Sequence, residues 1–289
     1  MKDYILISDS TADLPIEVIK ELNVKIIPFS YSINDDLYYY YLDERDGNIN
    51  EFYGNLKEGA MPVTSQINPM TYEDEFKKCI KDGKDVLYLS FTSGLSGSYQ
   101  SALIARNAVL EKYPDAKIEI IDSLAASVGQ GVFLYLAAKL KEKGKSIDEL
   151  VAWVNENAGK VSHWFMVEDL FHLNRGGRLS AVSAVVGSAL KIKPILSVDE
   201  EGKLVVKAKT RGVNKALDYL VNKPGEESKN LSELVAVIGH ADAIDKAEKI
   251  KSMVIEAGMK EENIMIAPIG PIIGTHVGSG MAAIAYLPM

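Results

Sequence analysis

The chain has 289 residues, 47% of them hydrophobic and 25% charged, with a formal net charge of −8. This is ordinary for a soluble globular protein long enough for two domains, and the negative balance argues against a nucleic-acid binder or an anionic-membrane binder, since both need a basic face. A single cysteine, Cys79, excludes an internal disulfide and a CxxC metal site. It fits a reducing cytoplasm, as does the short apolar run after Met1, too short for a signal peptide.

Residues 4–7 form the first apolar run, a strand that stops at Ser8-Asp9-Ser10-Thr11-Ala12-Asp13. Pro15 suits the first turn of a helix, and residues 24–28 read as the next strand. Residues 35–46, with four consecutive tyrosines at Tyr38–Tyr41, give no assignable pattern. Asn68 and Pro69 read as cap and first turn of a helix reaching Lys81, stopped by Asp82-Gly83. A strand at 86–90 precedes a glycine turn and a helix over 96–112. A strand at 117–121 leads into a helix over 126–143, closed by Gly144. Leu124 to Leu140 is the longest apolar stretch, but Ser127, Gln130 and Lys139 within it mark a buried helix rather than a membrane span. Ser146-Ile147-Asp148-Glu149 is a capping box opening another helix.

Strands alternating with helices predict an α/β fold, a mostly parallel sheet with helices on both faces. The pattern changes in the small polar stretch 157–160, so residues 1–158 are expected to form one domain and 159–289 a second, α+β one. In the second, a strand is predicted at 164–167, a small-residue helix at 181–190, and a hairpin from 193–198 and 203–209. Helices at 213–222 and 243–257 flank a strand at 234–238. A strand at 263–268 and a glycine-rich tail follow.

Two hydroxyl runs carry the clearest chemistry: Thr64-Ser65 and Thr92-Ser93-Gly94-Leu95-Ser96-Gly97-Ser98, each ahead of a helical pattern. Hydroxyls and free N–H groups at helix starts make a cup for an anion, although plain capping accounts for the same residues. The second run looks like a phosphate loop without its lysine, which suits a carboxylate better than a triphosphate. In a parallel sheet the turns share one edge, so 8–11, 64–65, 93–98 and 122–123 are expected to gather there. Gly274-Thr275-His276-Val277-Gly278-Ser279-Gly280 sets a histidine among glycines, either near a ligand or as a loop histidine with a structural partner. Arg175-Gly176-Gly177-Arg178 is a permissive turn able to grip phosphate or carboxylate, or a solvated surface turn. His163, His172 and His240 read as structural and lack metal-ligand spacing. Asp9, Asp13 and Asp122 show no paired-carboxylate arrangement, and Asp13 reads as a cap. The chain contains no GxxxxGK[ST], kinase signature, GxSxG or HExxH. Binding without turnover is therefore the simpler account.

In chain order these motifs resemble the DegV family of bacterial fatty-acid-binding proteins. The matching residues are Ser8-Asp9-Ser10-Thr11-Ala12-Asp13-Leu14-Pro15, Thr64-Ser65-Gln66, the run from Thr92 to Ala102, Leu173-Asn174-Arg175-Gly176-Gly177-Arg178-Leu179-Ser180, and Gly274-Thr275-His276-Val277-Gly278. The resemblance covers almost the whole chain. It implies a two-domain DegV-like fold holding a long-chain fatty acid such as palmitate between the domains, with no metal and no cofactor. Thr64 and Ser96 would hydrogen-bond the carboxylate with His276 nearby, in a head-group site that includes Ser65, Ser93, Gly97 and Thr275. Some members of the family are the binding subunit of a fatty acid kinase, and Arg175 would then assist an ATP-dependent partner at the exposed carboxylate. Contact with membranes would be transient. Ala181, Ala184, Gly187, Ala189 and Ala282 either leave room for the acyl tail or are ordinary packing residues. The competing readings are an enzyme acting on a small anionic or phosphorylated substrate, with His276 as acid–base and Arg175 as clamp, and a regulatory lipid sensor.

Overall fold

Local signals written into the sequence become the element ends of the structure, a computed structural model that describes residues 3–179 and 192–289. The expected small-residue helix at 181–190, with Ala181, Ala184, Gly187 and Ala189, lies outside the described residues, as does Ser180. The first part holds strands β1 (Tyr4–Asp9), β2 (Lys25–Ile27), β3 (Phe29–Ile33), β4 (Asp36–Tyr40), β5 (Val63–Ser65), β6 (Asp85–Ser90) and β7 (Ile118–Asp122). Among them run helices α1 (Ile16–Glu21), α2 (Ile49–Lys57), α3 (Pro69–Lys81), α4 (Ser98–Lys112), α5 (Val128–Glu142) and α6 (Ile147–Asn157). The second part holds β8 (Ser162–Met166), α7 (Phe171–Arg175), β9 (Ile192–Val198), β10 (Leu204–Arg211), α8 (Val213–Glu227), β11 (Ala236–His240), α9 (Ile244–Glu256), β12 (Ile264–Pro268), α10 (Pro271–Val277) and β13 (Ala282–Tyr286).

Three sheets result. The first is wholly parallel, in the order β2-β1-β6-β7. All six residues of β6 are buried, as a parallel strand covered on both faces requires. The second, β10-β9-β8-β13-β11-β12, is antiparallel except for β11 and β12. The third is a small antiparallel sheet, β4-β3-β5. The expected α/β class, with its helix-covered parallel sheet and sheet-rich C-terminal part, is the fold observed. Helix α5 packs on β11 and β13 of the second sheet. One apolar cluster therefore runs from Leu6 and Phe133 through Val237 to Ala285. Among the described residues, no helix is long and apolar enough to cross a membrane.

One expectation is corrected, and two segments that carried no assignment take on regular structure. Thr64-Ser65 does not open a helix: both residues belong to β5, paired with β3, and the next helix has its own cap, Asn68, whose side chain accepts from the Thr71 N–H at 3.0 Å. The unassigned tyrosine segment is β4, where Tyr38 stacks on Tyr31 with ring centroids 5.2 Å apart. The glycine-rich tail is ordered: it forms α10 and then β13, in the middle of the six-stranded sheet.

Candidate functional site

Four places in the first part of the chain, at Phe29, 64–66, 91–96 and 126–128, meet α10 and the strands β8, β9, β10 and β13 of the second sheet around a cavity. It has about 800 Å³ of empty volume, part of it open to solvent. Apolar side chains such as Phe29, Phe91, Leu95, Phe165, Leu204 and Ile272 make most of its wall. Polar groups include Thr64, Ser65 and Gln66 from β5 and its exit, Ser96 from the turn after β6, His276 from α10, and Arg178 after α7, and Ser127 and His163 also belong to the lining.

The two hydroxyl runs are tied together. Ser98 Oγ accepts from the Ile67 N–H at 3.1 Å and lies 3.0 Å from Ser96 Oγ. The Ser98 N–H donates to Ser96 Oγ at 3.2 Å, and Gln66 Nε2 donates to Ser101 Oγ at 3.2 Å. Gly97 packs so closely on the Gln66 carboxamide that a Cβ there would collide with it. A side chain at this position would displace the Gln66 carboxamide from its place against Ser101.

His276 joins the halves: its Nε2 lies 2.9 Å from Thr64 Oγ1. Burial, and then the charges of Arg178 and Arg175, push its pKa down to about 4, so the ring is neutral at physiological pH. Its Nδ1 is buried without a hydrogen-bond partner and faces Gly176, where a Cβ would collide with that nitrogen. We place the proton on Nε2, because an unpaired buried N–H costs more than an unpaired lone pair on a ring packed against carbon. Nε2–H then donates to Thr64 Oγ1 and leaves the threonine hydroxyl proton free for a ligand. Arg178 Nε donates to the Leu95 carbonyl at 3.2 Å and Nη1 to the Gly176 carbonyl at 2.6 Å, fixing one positive charge at the polar end.

The family model described as "Uncharacterised protein, DegV family COG1307" matches residues 4–289. This chain belongs to the DegV family. A DegV domain-containing protein of Clostridium perfringens is 42% identical over 289 residues, covering 99% of this chain and 98% of the relative. Two solved DegV structures share the fold over 100% of both chains. A fatty acid binding DegV family protein from Streptococcus agalactiae has a TM-score of 0.86 at 30% identity. A DegV family protein from Thermus thermophilus, described by its fatty acid binding, has a TM-score of 0.89 at 26% identity.

In this DegV chain, Thr64, Ser65, Ser96 and His276 meet at the cavity, while Ser93, Gly97, Thr275 and Arg175 are not in its lining. Ser93 is exposed, and its N–H donates to the Asp122 carboxylate at 3.2 Å. Thr275 is buried, and its hydroxyl donates to the Pro271 carbonyl at 2.8 Å within α10. Arg175 is exposed, and its Nη2 donates to the Thr275 carbonyl at 3.3 Å. Arg178 and Gln66, both within recognised motifs, take lining positions that the spacing alone did not distinguish from their neighbours.

The residues of 8–11 do not join the cup. Asp9 is fully buried, accepting from Thr11 Oγ1, from Gln130 Nε2 at 3.2 Å, and from Tyr88 Oη at 2.8 Å. It also accepts from the Phe91 N–H at 3.1 Å, which anchors the strand end whose ring enters the cavity wall. Burial raises its pKa against the pull of those hydrogen bonds. Asp13 ends the short 3-10 turn of residues 10–12 in a left-handed conformation (φ 39) rather than capping α1, and its carboxylate accepts from Ser127 Oγ and from the Gly270 N–H. His163 lines the cavity with its ring satisfied, Nδ1 lying 2.9 Å from the Val161 carbonyl and Nε2 accepting from the Ala126 N–H at 3.3 Å.

Proposed function

We propose that this DegV protein binds a long-chain fatty acid, with the hydrocarbon in the apolar cavity and the carboxylate at Thr64, Ser65 and Ser96. The observation that carries this reading is the cavity itself: a mainly apolar space with hydroxyls, a neutral imidazole and one guanidinium gathered at one part of its lining. The similarity to DegV proteins described by fatty acid binding supports it. Burying about a dozen methylenes at ~0.8 kcal/mol each contributes on the order of 10 kcal/mol before ordering costs. The chain then supplies affinity and the polar groups supply orientation. In this reading His276 aims the Thr64 hydroxyl, Arg178 offsets the ligand charge, and Gly97 and Thr275 act through packing. Residues 1–158 and 159–289 act as two jaws, each contributing to the wall.

The protein does no bond chemistry itself in this reading and presents the carboxylate to a separate fatty acid kinase. Arg175, exposed on α7 next to the Gly176 that packs on His276, is the contact proposed for that partner. The competing enzyme reading loses support, because its clamp, Arg175, is absent from the lining and its acid–base, His276, is already engaged with Thr64.

Denaturing mass spectrometry of an organic extract from freshly purified protein tests the first claim. A C16–C18 fatty acid near one equivalent is expected, and a lipid-free extract together with no uptake of added oleate overturns it. Incubation with oleate, ATP and magnesium tests the second. Acyl phosphate is expected only when a fatty acid kinase is added, and its formation by this chain alone overturns the carrier role.

A further inference from the structure

Asp13 lies outside the cavity lining, yet it holds two of the cavity's walls. Its side chain is buried, with 1% of the residue exposed. Ser127 Oγ donates to Oδ2 at 2.7 Å, and the Gly270 N–H donates to Oδ1 at 2.9 Å. These two partners are the residues that open α5 and α10. Both helix starts line the cavity, through Ala126, Ser127 and Val128 on one side and Ile272 and Ile273 on the other, and α10 carries His276 in its last turn. Ser127 has φ 54 and ψ −135, a conformation that residues with side chains rarely adopt and that surrounding bonds must sustain. Gly270 is wedged against the Tyr40 ring, where a Cβ would overlap it, and Tyr53 Oη donates to the Ile269 carbonyl at 2.8 Å. Rigid neighbours therefore surround the Gly270 end of the tie.

We propose that Asp13 is a positioning residue for the acyl ligand: one carboxylate sets the two helix starts that wall the cavity, and filling the cavity draws a proton onto it. This inference rests on the fatty-acid reading above. Ser127 is both a partner of Asp13 and part of the lining, so hydrocarbon that displaces water beside it leaves the carboxylate in less polar surroundings. Such a change disfavours the charged form. Burial already holds the Asp13 pKa up at about 7, so a small further rise alters its protonation at physiological pH. The titratable groups that face it are Asp9, Tyr40 and Tyr53, none of them a cation. His163, beside Ala126, is kept neutral by burial, with its pKa down to about 4. No ion pair among the described residues includes Asp13. If the bound form holds more protons than the free form, ligand affinity rises as pH falls through about 7.

The test compares oleate affinity of the full chain and of Asp13→Asn between pH 5.5 and 8.5. Asparagine still offers an oxygen to Gly270 and an amide to Ser127 but does not titrate. The titrations of oleate and of His276 are common to both proteins, so the ratio of wild-type to variant Kd isolates Asp13. That ratio should climb about threefold from pH 6 to 8.5, the effect of a half-unit rise in one pKa on binding. A flat ratio overturns the inference while leaving fatty-acid binding intact. Failure of the wild-type chain to bind oleate at any pH overturns both. Ser127→Ala decides the matter should Asp13→Asn not fold. It keeps the carboxylate but removes a hydrogen bond to its ionised form, so the midpoint of the pH effect should move upward, and an unmoved midpoint overturns the inference.

Discussion

Thr64 and His276 are 212 residues apart in the chain and 2.9 Å apart in the structure, hydroxyl to imidazole. One lies on a three-residue strand of the smallest sheet and the other in the last helix. Their contact closes the polar end of the cavity across the two parts of the chain.

Thr64→Val keeps the shape of the side chain and removes its hydroxyl. A hydrogen bond to a charged group contributes about 1.5–3 kcal/mol, so oleate affinity should fall at least about tenfold, and the His276 Nε2–H left without its acceptor should lower the melting temperature as well. Thr64→Ser should stay within about threefold of wild type. Isothermal titration would show it, and equal losses in the two variants would contradict the role given to the hydroxyl.

Gly176→Ala should damage the site from behind. A Cβ at this position would press on His276 Nδ1, and overpacking of this kind costs about 1–3 kcal/mol. Both thermal stability and oleate affinity should drop. Combining it with His276→Ala should relieve most of the added stability loss, though not the loss of affinity; strictly additive stabilities would show that the two residues do not interact.

The two arginines of the Arg175-Gly176-Gly177-Arg178 turn should separate cleanly. Arg178 lines the cavity and Arg175 does not. Arg178→Ala is therefore expected to weaken oleate binding by about tenfold, in the range of one charge-assisted hydrogen bond. Arg175→Ala should leave it within about twofold and lower acyl-phosphate yield with an added kinase. The opposite ordering of the two affinities would reverse the assignment.

Burial lowers the pKa of both His163 and His276 to about 4, below the 6.5 of an exposed histidine. Each group therefore contributes stability that is present above pH 6.5 and is lost as pH falls toward 4. In NMR spectra of the ligand-free protein, neither imidazole Cε1–H resonance should shift between pH 6 and 8. A midpoint above 6 for either ring would show that it is solvated or charge-paired instead.

Features that rest on neighbouring residues were readable in the sequence. Asn68-Pro69 starts a helix as its chemistry demands, and both bonds of the Ser146–Glu149 capping box are present. Features set by distant contacts were not. Residues 63–65 carry no periodicity, and their strand exists because β3 offers hydrogen bonds to it. His276 sits between Gly274 and Gly278 and so reads as a loop residue. Gly274, however, is in α10, where a Cβ would press against the Tyr53 hydroxyl and the Phe52 ring; here glycine serves close packing rather than backbone freedom. Ala282-Ala283-Ile284-Ala285-Tyr286 is weak as a strand signal, but small side chains admit α5 against the sheet. The hydroxyls themselves were recognised as a set. Which of them face inward depends on the register of β5 and the turn after β6, and spacing does not encode that register.

β13 lies between β8 and β11. Residues 162–166 have β9 on their other side and residues 236–240 have β12, so without residues 282–286 the larger sheet would be two separate ladders. One central strand thus couples the continuity of the sheet to the shape of the pocket, because Ala283, Ile284 and Ala285 of that same strand form part of its wall.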